Sequence, residues 1–347
     1  MHCPTLNELP PPPPGKTGWP WTEQTEPLPK HMPDGSEWPR LSIVTPNYNY
    51  GQFLEETIRS VLLQGYPNLE YIIIDGGSTD NSSEIIKKYE KWLNYWVSEK
   101  DSGQSDAINK GFDRATGEIY AWLNSDDVFC QGSLLEVGLF WLINSKFHLL
   151  TGDGQFFSVT EEGREELEYY VKAESYSFKE LLKYYEHKYL PQPSVFFSKE
   201  VFRKLGGLNI ALSYAMDIDL WIRIRKEYAF HYLPKCLSKL RHHQDAKTWR
   251  DNVLLVREVN SLIQQNLEQI GILGRLYSRI KLAYFYAFTL SRRGLAEYLN
   301  GNRFEAIEWS KKAILCCPPI IFSSISLKLI MRLILPNSIK KILFSTP

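Results

Sequence analysis

Residues 41–80 read LSIVTPNYNYGQFLEETIRSVLLQGYPNLEYIIIDGGSTD. The opening LSIVTP has the unbroken apolar character of a buried strand, and FLEETIRSVLLQG has the period of an amphipathic helix closed by Gly65. YIIID at 71–75 is a second strand and ends on a carboxylate. Gly76 and Gly77 then make a turn, and the Ser, Thr, Asp and Asn residues that follow supply N-capping side chains for a helix through KKYEKWL. Working outward, YWVSE at 95–99 is a third strand, Asp106 to Ala115 a helix, and EIYAWLN at 118–124 a fourth strand that runs into Ser125, Asp126 and Asp127.

This alternation predicts an α/β fold built on a mainly parallel, doubly wound sheet, whose ligand crevice lies at the carboxyl ends of the strands. Asp75 ends the second strand, Asp101 lies two residues past the third, and Asp126 and Asp127 follow the fourth. Any one of them alone reads as an ordinary turn residue. Three separated stretches converging on one crevice point to a site.

Composition narrows the partner. Lys plus Arg and Asp plus Glu both total 40, so no net field steers the chain toward nucleic acid, and a small polar ligand is expected. Cys3, Cys130, Cys236, Cys316 and Cys317 have no CxxC spacing, which argues against a zinc ribbon or a disulfide framework and for a reducing, cytoplasmic setting. Residues 2–24, HCPTLNELPPPPPGKTGWPWTEQ, lack a charged-then-apolar leader pattern. They form a Pro-rich arm over 1–37, with Trp19, Trp21 and Trp38 expected to pin it to the domain surface. Gly15-Lys16-Thr17 resembles the end of a phosphate loop, but position 10 is Pro where such a loop needs Gly.

A polar, aromatic stretch at 151–190 reads as hairpin or lid material followed by a helix near FKELLKYYEHKYL. Residues 191–245 hold PQPSVFFSKEVFRKLGG, the acidic pair of AMDIDLWIRIRKEY and a strand-like FHYLPKCLSKLRHHQ. The α/β domain is thus expected over 38–250, with a helical region over 251–347. Within that region AEYLNGNRFEAIEWSKKAILCCP reads as two helices around a glycine turn, resembling a tetratricopeptide-type hairpin. The tail, IIFSSISLKLIMRLILPNSIKKILF, carries Lys328, Arg332, Lys340 and Lys341, and Pro318, Pro319 and Pro336 break the apolar pattern. No uncharged run reaches the roughly 18–20 residues that span a bilayer. The tail is read either as packed on the preceding helices or as a peripheral membrane contact.

Chemistry that releases a diphosphate needs positive charge on the leaving group, and a hard divalent cation on carboxylate oxygens supplies it. Asp126 and Asp127 are placed for this, but adjacent residues of an extended segment point apart, so one is expected to bind metal and the other a hydroxyl. Asp217 is the candidate base, with Asp219 two residues on to raise its basicity by repulsion; its alternative role is to cap the helix DLWIRIRKEY. Of Arg241-His242-His243, one imidazole completing a metal shell would favour Mn²⁺.

Four runs together, SIVTPNYNYGQFLEETIRSVLLQGYPNLEYIIIDGGSTD, SEKDSGQSDAINKGFDRATGEIYAWLNSDD, LPQPSVFFSKEVFRKLGGL and AMDIDLWIRI, resemble the family 2 glycosyltransferases, inverting enzymes of GT-A fold. The resemblance covers about residues 40–250. It implies a nucleotide-sugar donor, with UDP as the nucleotide, and a glycan or lipid-linked acceptor in polysaccharide or cell-envelope assembly. It places Thr45, Asn47, Tyr48 and Asp75 around the uridine, Asp101 at the nucleoside, Asp126 on Mn²⁺ or Mg²⁺, and Asp127 on the donor sugar or acceptor. Asp217 matches the late acidic base, and His243 a histidine that in some members reaches the metal or diphosphate. Asn124 stands where the family's DxD motif begins, so the site has one negative charge fewer, and the amide is left for ribose or a metal-bound water. Processive members carry QxxRW and membrane helices; WIRIR at 221–225 stands here instead, which favours adding one sugar per encounter.

Two other functions fit the sequence less well. A dinucleotide enzyme or methyltransferase on a similar sheet needs a GxGxxG turn after its first strand, where this chain has TPNYNYG. A non-catalytic binding protein on the same fold has Asn124 for support and Asp126, Asp127 and Asp217 against it.

Overall fold

A computed structural model describes residues 3–144, 147–160, 163–247 and 252–334. The chain divides into two compact units, Met1–Leu181 with Tyr189–Gln244, and Leu182–Lys188 with Asp245–Pro347.

In the first unit, β1 (Leu41–Asn47) is buried along its whole length and has parallel neighbours on both sides, β2 (Leu69–Asp75) and β4 (Ile119–Trp122). With β3 (Tyr95–Ser98) beside β2, the order 3-2-1-4 is the parallel half-sheet that the alternation predicts. Alternate residues of these strands face opposite layers. Ile43, Tyr71 and Ile73 pack with Leu54 and Ile58 of α1 (Gly51–Leu62) and with Ile86 of α2 (Ser82–Tyr89). On the other face Val44, Ile72 and Ile74 pack with Ile108 and Phe112 of α3 (Gln104–Arg114). This two-sided burial is why the strands read as unbroken apolar runs.

Beyond β4 the sheet becomes mixed. Two-residue β5 (Val128–Phe129) leads into α4 (Ser133–Asn144), and β6 (Leu149–Val159) pairs with β7 (Glu165–Val171) as the expected hairpin. The helix expected near 178–190 shortens to α5 (Phe178–Leu181) and one 3₁₀ turn. The strand β8 (Val195–Ser198) is antiparallel to β4 and β6, and α6 (Lys199–Leu205) follows with Ser198 as its capping residue. After α7 (Met216–Glu227), β9 (Phe230–Arg241) runs parallel to β6 and antiparallel to β5.

The Pro-rich arm is part of this unit's core, with Cys3, Leu9, Trp21, Met32 and Trp38 buried. Its anchor is Arg59 of α1, fully buried, which donates to the carbonyls of Pro10, Pro20 and Trp21 at 2.9–3.0 Å. Trp19 Nε1 donates to Phe129 O at 2.8 Å.

The second unit is helical: Asn252–Asn266, Ile272–Leu299, Arg303–Cys316 and Ser324–Ile334. The expected hairpin is the pair either side of Gly301, whose φ of +86° suits glycine in that turn. The described part of the tail packs on the long helix, Ser326 Oγ lying 3.0 Å from Ser291 Oγ and Leu329 closing over Gly294. Pro336, Lys340 and Lys341 lie outside the described residues. Among the described residues no helix is long and apolar enough to cross a membrane.

Candidate active site

Register across the parallel strands brings the first set of residues together. Asn47, Asp75 and Ser98 are cross-strand partners at the carboxyl edge of β1, β2 and β3. Asn47 Nδ2 donates to Asp75 Oδ1 at 2.7 Å, and Ser98 Oγ donates to Asp75 Oδ2 at 2.5 Å. Ser78 adds its backbone N–H at 3.0 Å and its hydroxyl at 2.5 Å. The fully buried Asp75 carboxylate is therefore held by four donors, which is how an anion is tolerated in a dry strand end. Asn47 Oδ1 is buried without a partner, an acceptor left open beside this row.

Tyr48 is 62% exposed, just past β1. Thr45, in contrast, is fully buried and its hydroxyl lies 3.0 Å from that of Tyr71, inside the α1-side core. Its side chain is thus part of the packing and not of a pocket wall. Asp101 lies against Gly76: a Cβ there would come within 2.6 Å of Asp101 Oδ2, so glycine is what lets this carboxylate close on the end of β2.

The loop after β4 holds the second set. Asn124 Oδ1 accepts from Gln104 Nε2 at 2.8 Å, while Asn124 Nδ2 donates to Asp127 Oδ2 at 3.2 Å and to Gln192 Oε1 at 3.1 Å. Asp127 turns inward, where Arg241 N donates to its Oδ1 at 3.0 Å. Burial and then the neighbouring charge of Asp126 push the Asp127 carboxyl well above the usual carboxylate range, against the hydrogen bonds from Arg241 and Asn124. Asp126 turns the other way, as expected of adjacent residues, and its Oδ2 lies 3.1 Å from His243 Nε2. Arg241 Nε holds the Asp126 carbonyl at 3.0 Å and its guanidinium pairs with Glu56 at 3.0 Å, which ties the end of β9 to this loop. His243 sits against Phe53 and Tyr50, at 4.5 and 5.5 Å between ring centres. His242 points elsewhere, its Nδ1 2.6 Å from Glu168 Oε2 on β7.

The start of α7, the helix that carries Asp217, packs beside α3 and β4. Met216, the first residue of α7, has its sulfur 3.0 Å from Ser105 Oγ, next to the Gln104 that holds Asn124. Trp221 of α7 stacks on Trp122 of β4 at 5.5 Å. Ala215 caps the helix, so Asp217 lies within its first turn, half-buried, with Oδ1 accepting from Ile218 N at 2.8 Å. The positive end of the helix dipole favours a carboxylate there. The expected repulsion from Asp219 is answered by Arg223, 2.8 Å from its carboxylate.

Gln104, Gln192, Ser98 and Arg241 belong to this constellation although the sequence reading gave them no role. Ser98 could have been found from strand register, because it ends β3 as Asp75 ends β2. The amides carry no such signal: Gln104 and Gln192 lie 20 and 68 residues from Asn124.

A parallel half-sheet with polar and acidic residues along its carboxyl edge belongs to the class of α/β folds that bind nucleotides there. Comparison with known proteins makes the class specific. Residues 42–206 match the family described as Glycosyl transferase family 2. TuaG of Bacillus subtilis, a glycosyltransferase assigned in name to teichuronic acid biosynthesis, is 29% identical over 208 residues, covering 58% of this chain and 79% of TuaG. A Rickettsia felis glycosyltransferase is 27% identical over 218 residues, 60% of this chain but only 35% of that protein. Among solved structures, a Pyrobaculum calidifontis mannosyltransferase in complex with GDP-Man and Mn²⁺ superposes with a TM-score of 0.52 at 17% identity, covering 94% of this chain and 92% of that one. TarS of S. aureus superposes with a TM-score of 0.52 at 19% identity, over 84% of this chain and 52% of that one. The chain therefore carries a glycosyltransferase family 2 domain over residues 42–206, on a GT-A-like fold and with the transferase class that goes with that domain.

Proposed function

We propose that this transferase moves a sugar from a UDP-sugar to an acceptor hydroxyl with inversion, one sugar per encounter. The observation that carries the reading is that the Asn47–Asp75–Ser98 row and the loop holding the Asp126–His243 pair stand at the carboxyl ends of adjacent parallel strands, β3, β2, β1 and β4. The row offers a fixed carboxylate, Asp75, to accept the single ring N–H of a uracil. For Asp75 to accept from the base, the Ser98 or Ser78 hydroxyl turns away, exchanging one hydrogen bond for another. Tyr48 lies over the base from the exposed end of β1, Thr45 acts through its backbone, and Asp101 meets the ribose.

A divalent cation fits part of this site. Asp126 Oδ2 and His243 Nε2 are 3.1 Å apart, and neighbouring ligands of an octahedral ion with bonds of about 2.1 Å stand roughly 3.0 Å apart. Among the described residues no group of three or more His, Cys, Asp or Glu could hold an ion, so Asp126 and His243 would hold Mn²⁺ or Mg²⁺ together with diphosphate oxygens and water. Bound there, the ion supplies charge that stabilises the departing UDP. Asp217 takes the proton of the acceptor hydroxyl as it attacks the anomeric carbon, the step that requires inversion. Asp127, held inward, orients a sugar hydroxyl and keeps Arg241 in place, while Asn124 fixes Gln104 and Gln192 on either side. TuaG's name is consistent with a cell-envelope glycan or its lipid-linked precursor as acceptor, handled on the cytoplasmic side.

Calorimetric titration with UDP and with GDP, each with and without Mn²⁺, tests the donor. GDP is the competing nucleotide because the similarly folded mannosyltransferase holds GDP-Man. Mn²⁺-dependent UDP binding that Asp75→Ala and Asp126→Ala abolish is expected. Preference for GDP overturns the uridine reading, and binding of neither nucleotide overturns the donor site.

A further inference from the structure

The helix Ile272–Leu299 changes character along its length. Ala287, Leu290, Ser291 and Gly294 in its second half are buried. Its first half presents Ile272, Leu273, Leu276, Tyr277, Ile280 and Tyr284 to solvent, with 42–82% of each exposed. At 100° per residue these six fall within about 140° of arc, over three turns, while Ser278 and Leu282 on the opposite side are buried. The exposed face is therefore a continuous apolar stripe.

Charge says what suits it. Arg275 and Arg279 border one edge of the stripe and Lys281 the other, and no acidic residue occurs between Glu268 and Glu297. The segment Leu182–Lys188 of the same unit lies alongside, with Tyr185 hydrogen-bonded to Ser278 and Tyr184 against Phe285. It contributes Lys183 and Lys188 against the single acid Glu186. Glu186 touches the stripe, accepting from the Tyr277 hydroxyl at 3.4 Å, but it is outnumbered by Arg275, Arg279, Lys281, Lys183 and Lys188. A predominantly cationic border around leucine, isoleucine and tyrosine complements an anionic headgroup layer, into which the apolar face sinks while the long cationic side chains reach the phosphates.

We propose that this face of the Ile272–Leu299 helix docks the enzyme peripherally on an anionic lipid surface, lying in the plane of the interface. The site is distinct from the tail, and it does not depend on the identity of the donor.

The test is co-sedimentation of the full chain with vesicles of phosphatidylcholine alone and of phosphatidylcholine containing about one-third phosphatidylglycerol. Binding to the anionic vesicles, weakened by salt, is expected. The pair Leu273→Glu and Leu276→Glu should lower the partition coefficient at least about tenfold, through lost apolar insertion and added repulsion. Arg275→Gln with Arg279→Gln keeps the apolar stripe and should lower it about fivefold per charge. All four positions lie at the helix surface, and unchanged far-ultraviolet circular dichroism and melting would show that both variants fold. Equal binding to neutral vesicles, no binding to anionic ones at low salt, or parental binding by the glutamate variant overturns the proposal. Light scattering on the same samples covers the other occupant: a dimer that Leu276→Glu dissociates, with no vesicle binding, assigns the stripe to a second copy of the chain.

Discussion

Replacing Asn124 by Asp would restore the first acid of the DxD motif, and the structure says what that costs. Asn124 Nδ2 donates to two acceptors, Asp127 Oδ2 at 3.2 Å and Gln192 Oε1 at 3.1 Å. A carboxylate in its place loses both bonds, at about 1 kcal/mol each, and faces Asp127 across the same 3.2 Å. Two full charges at that separation repel by about 5 kcal/mol at an effective dielectric constant near 20, an upper bound. Asp127 is already pushed toward its neutral form, so the variant is expected to share one proton between the two carboxyls and to lose about 2–4 kcal/mol of stability at mildly alkaline pH. The sign of the pH dependence follows. The shared proton is bound in the folded state and not in the unfolded one, so the variant's stability falls as pH rises from the ordinary carboxylate range through the raised one. Urea unfolding followed by tryptophan fluorescence across that range, for the parent, Asn124→Asp and Asn124→Ala, measures it. The alanine control loses the hydrogen bonds without adding charge, so its deficit should vary with pH no more than the parent's. An Asn124→Asp variant as stable as the parent at every pH without metal would refute the reasoning.

Three further outcomes are expected. Asp217→Asn should lower turnover by about 10² to 10⁴ while leaving UDP affinity, measured by calorimetry, within about twofold; near-normal turnover rules it out as the base. His243→Ala should raise the Mn²⁺ concentration for half-maximal nucleotide binding by at least about tenfold, and an unchanged requirement removes the imidazole from the metal's shell. Arg59→Met removes a buried cation that holds three arm carbonyls and approaches the Tyr89 hydroxyl at 3.2 Å, so urea unfolding should show a loss of about 3–5 kcal/mol, with faster proteolysis between residues 3 and 37.

What was legible in the sequence, and what was not, divides along a physical line. β1, β2 and β4 are buried on both faces, so they read as apolar runs, and their carboxyl ends could be placed without knowing any pairing. That located Asp75, Asp101, Asp126 and Asp127 on one edge. Periodicity carries which face a residue takes but not which distant group it meets. Arg59 stands in an amphipathic helix where a cation reads as a solvent charge, and only the folded arm's carbonyls make its burial tolerable. Thr45 has the position of a pocket residue in the family pattern, yet the hydroxyl of Tyr71 across the strand pair claims it. The two-residue β5 and the parallel pairing of β9 with β6 rest on long-range register and leave no local pattern.

Asn124 shows how the two kinds of information combine. Its departure from the DxD pattern is visible in the sequence as a missing charge, which by itself suggests a weakened metal site. In the structure the amide at this position is a donor to two acceptors and an acceptor from Gln104, three roles that no carboxylate can fill at once. Asp127 is turned away from Asp126 by the backbone N–H of Arg241, so a second acid at 124 would face Asp127 and not the Asp126–His243 pair. The amide is therefore matched to how the loop is held, and in the proposed reading Asp126 and His243 are left to carry the cation. On this geometry the Asn124→Asp variant gains little metal affinity for the stability it loses, and the measurement that separates the two is a Mn²⁺ titration of the variant beside its unfolding curve.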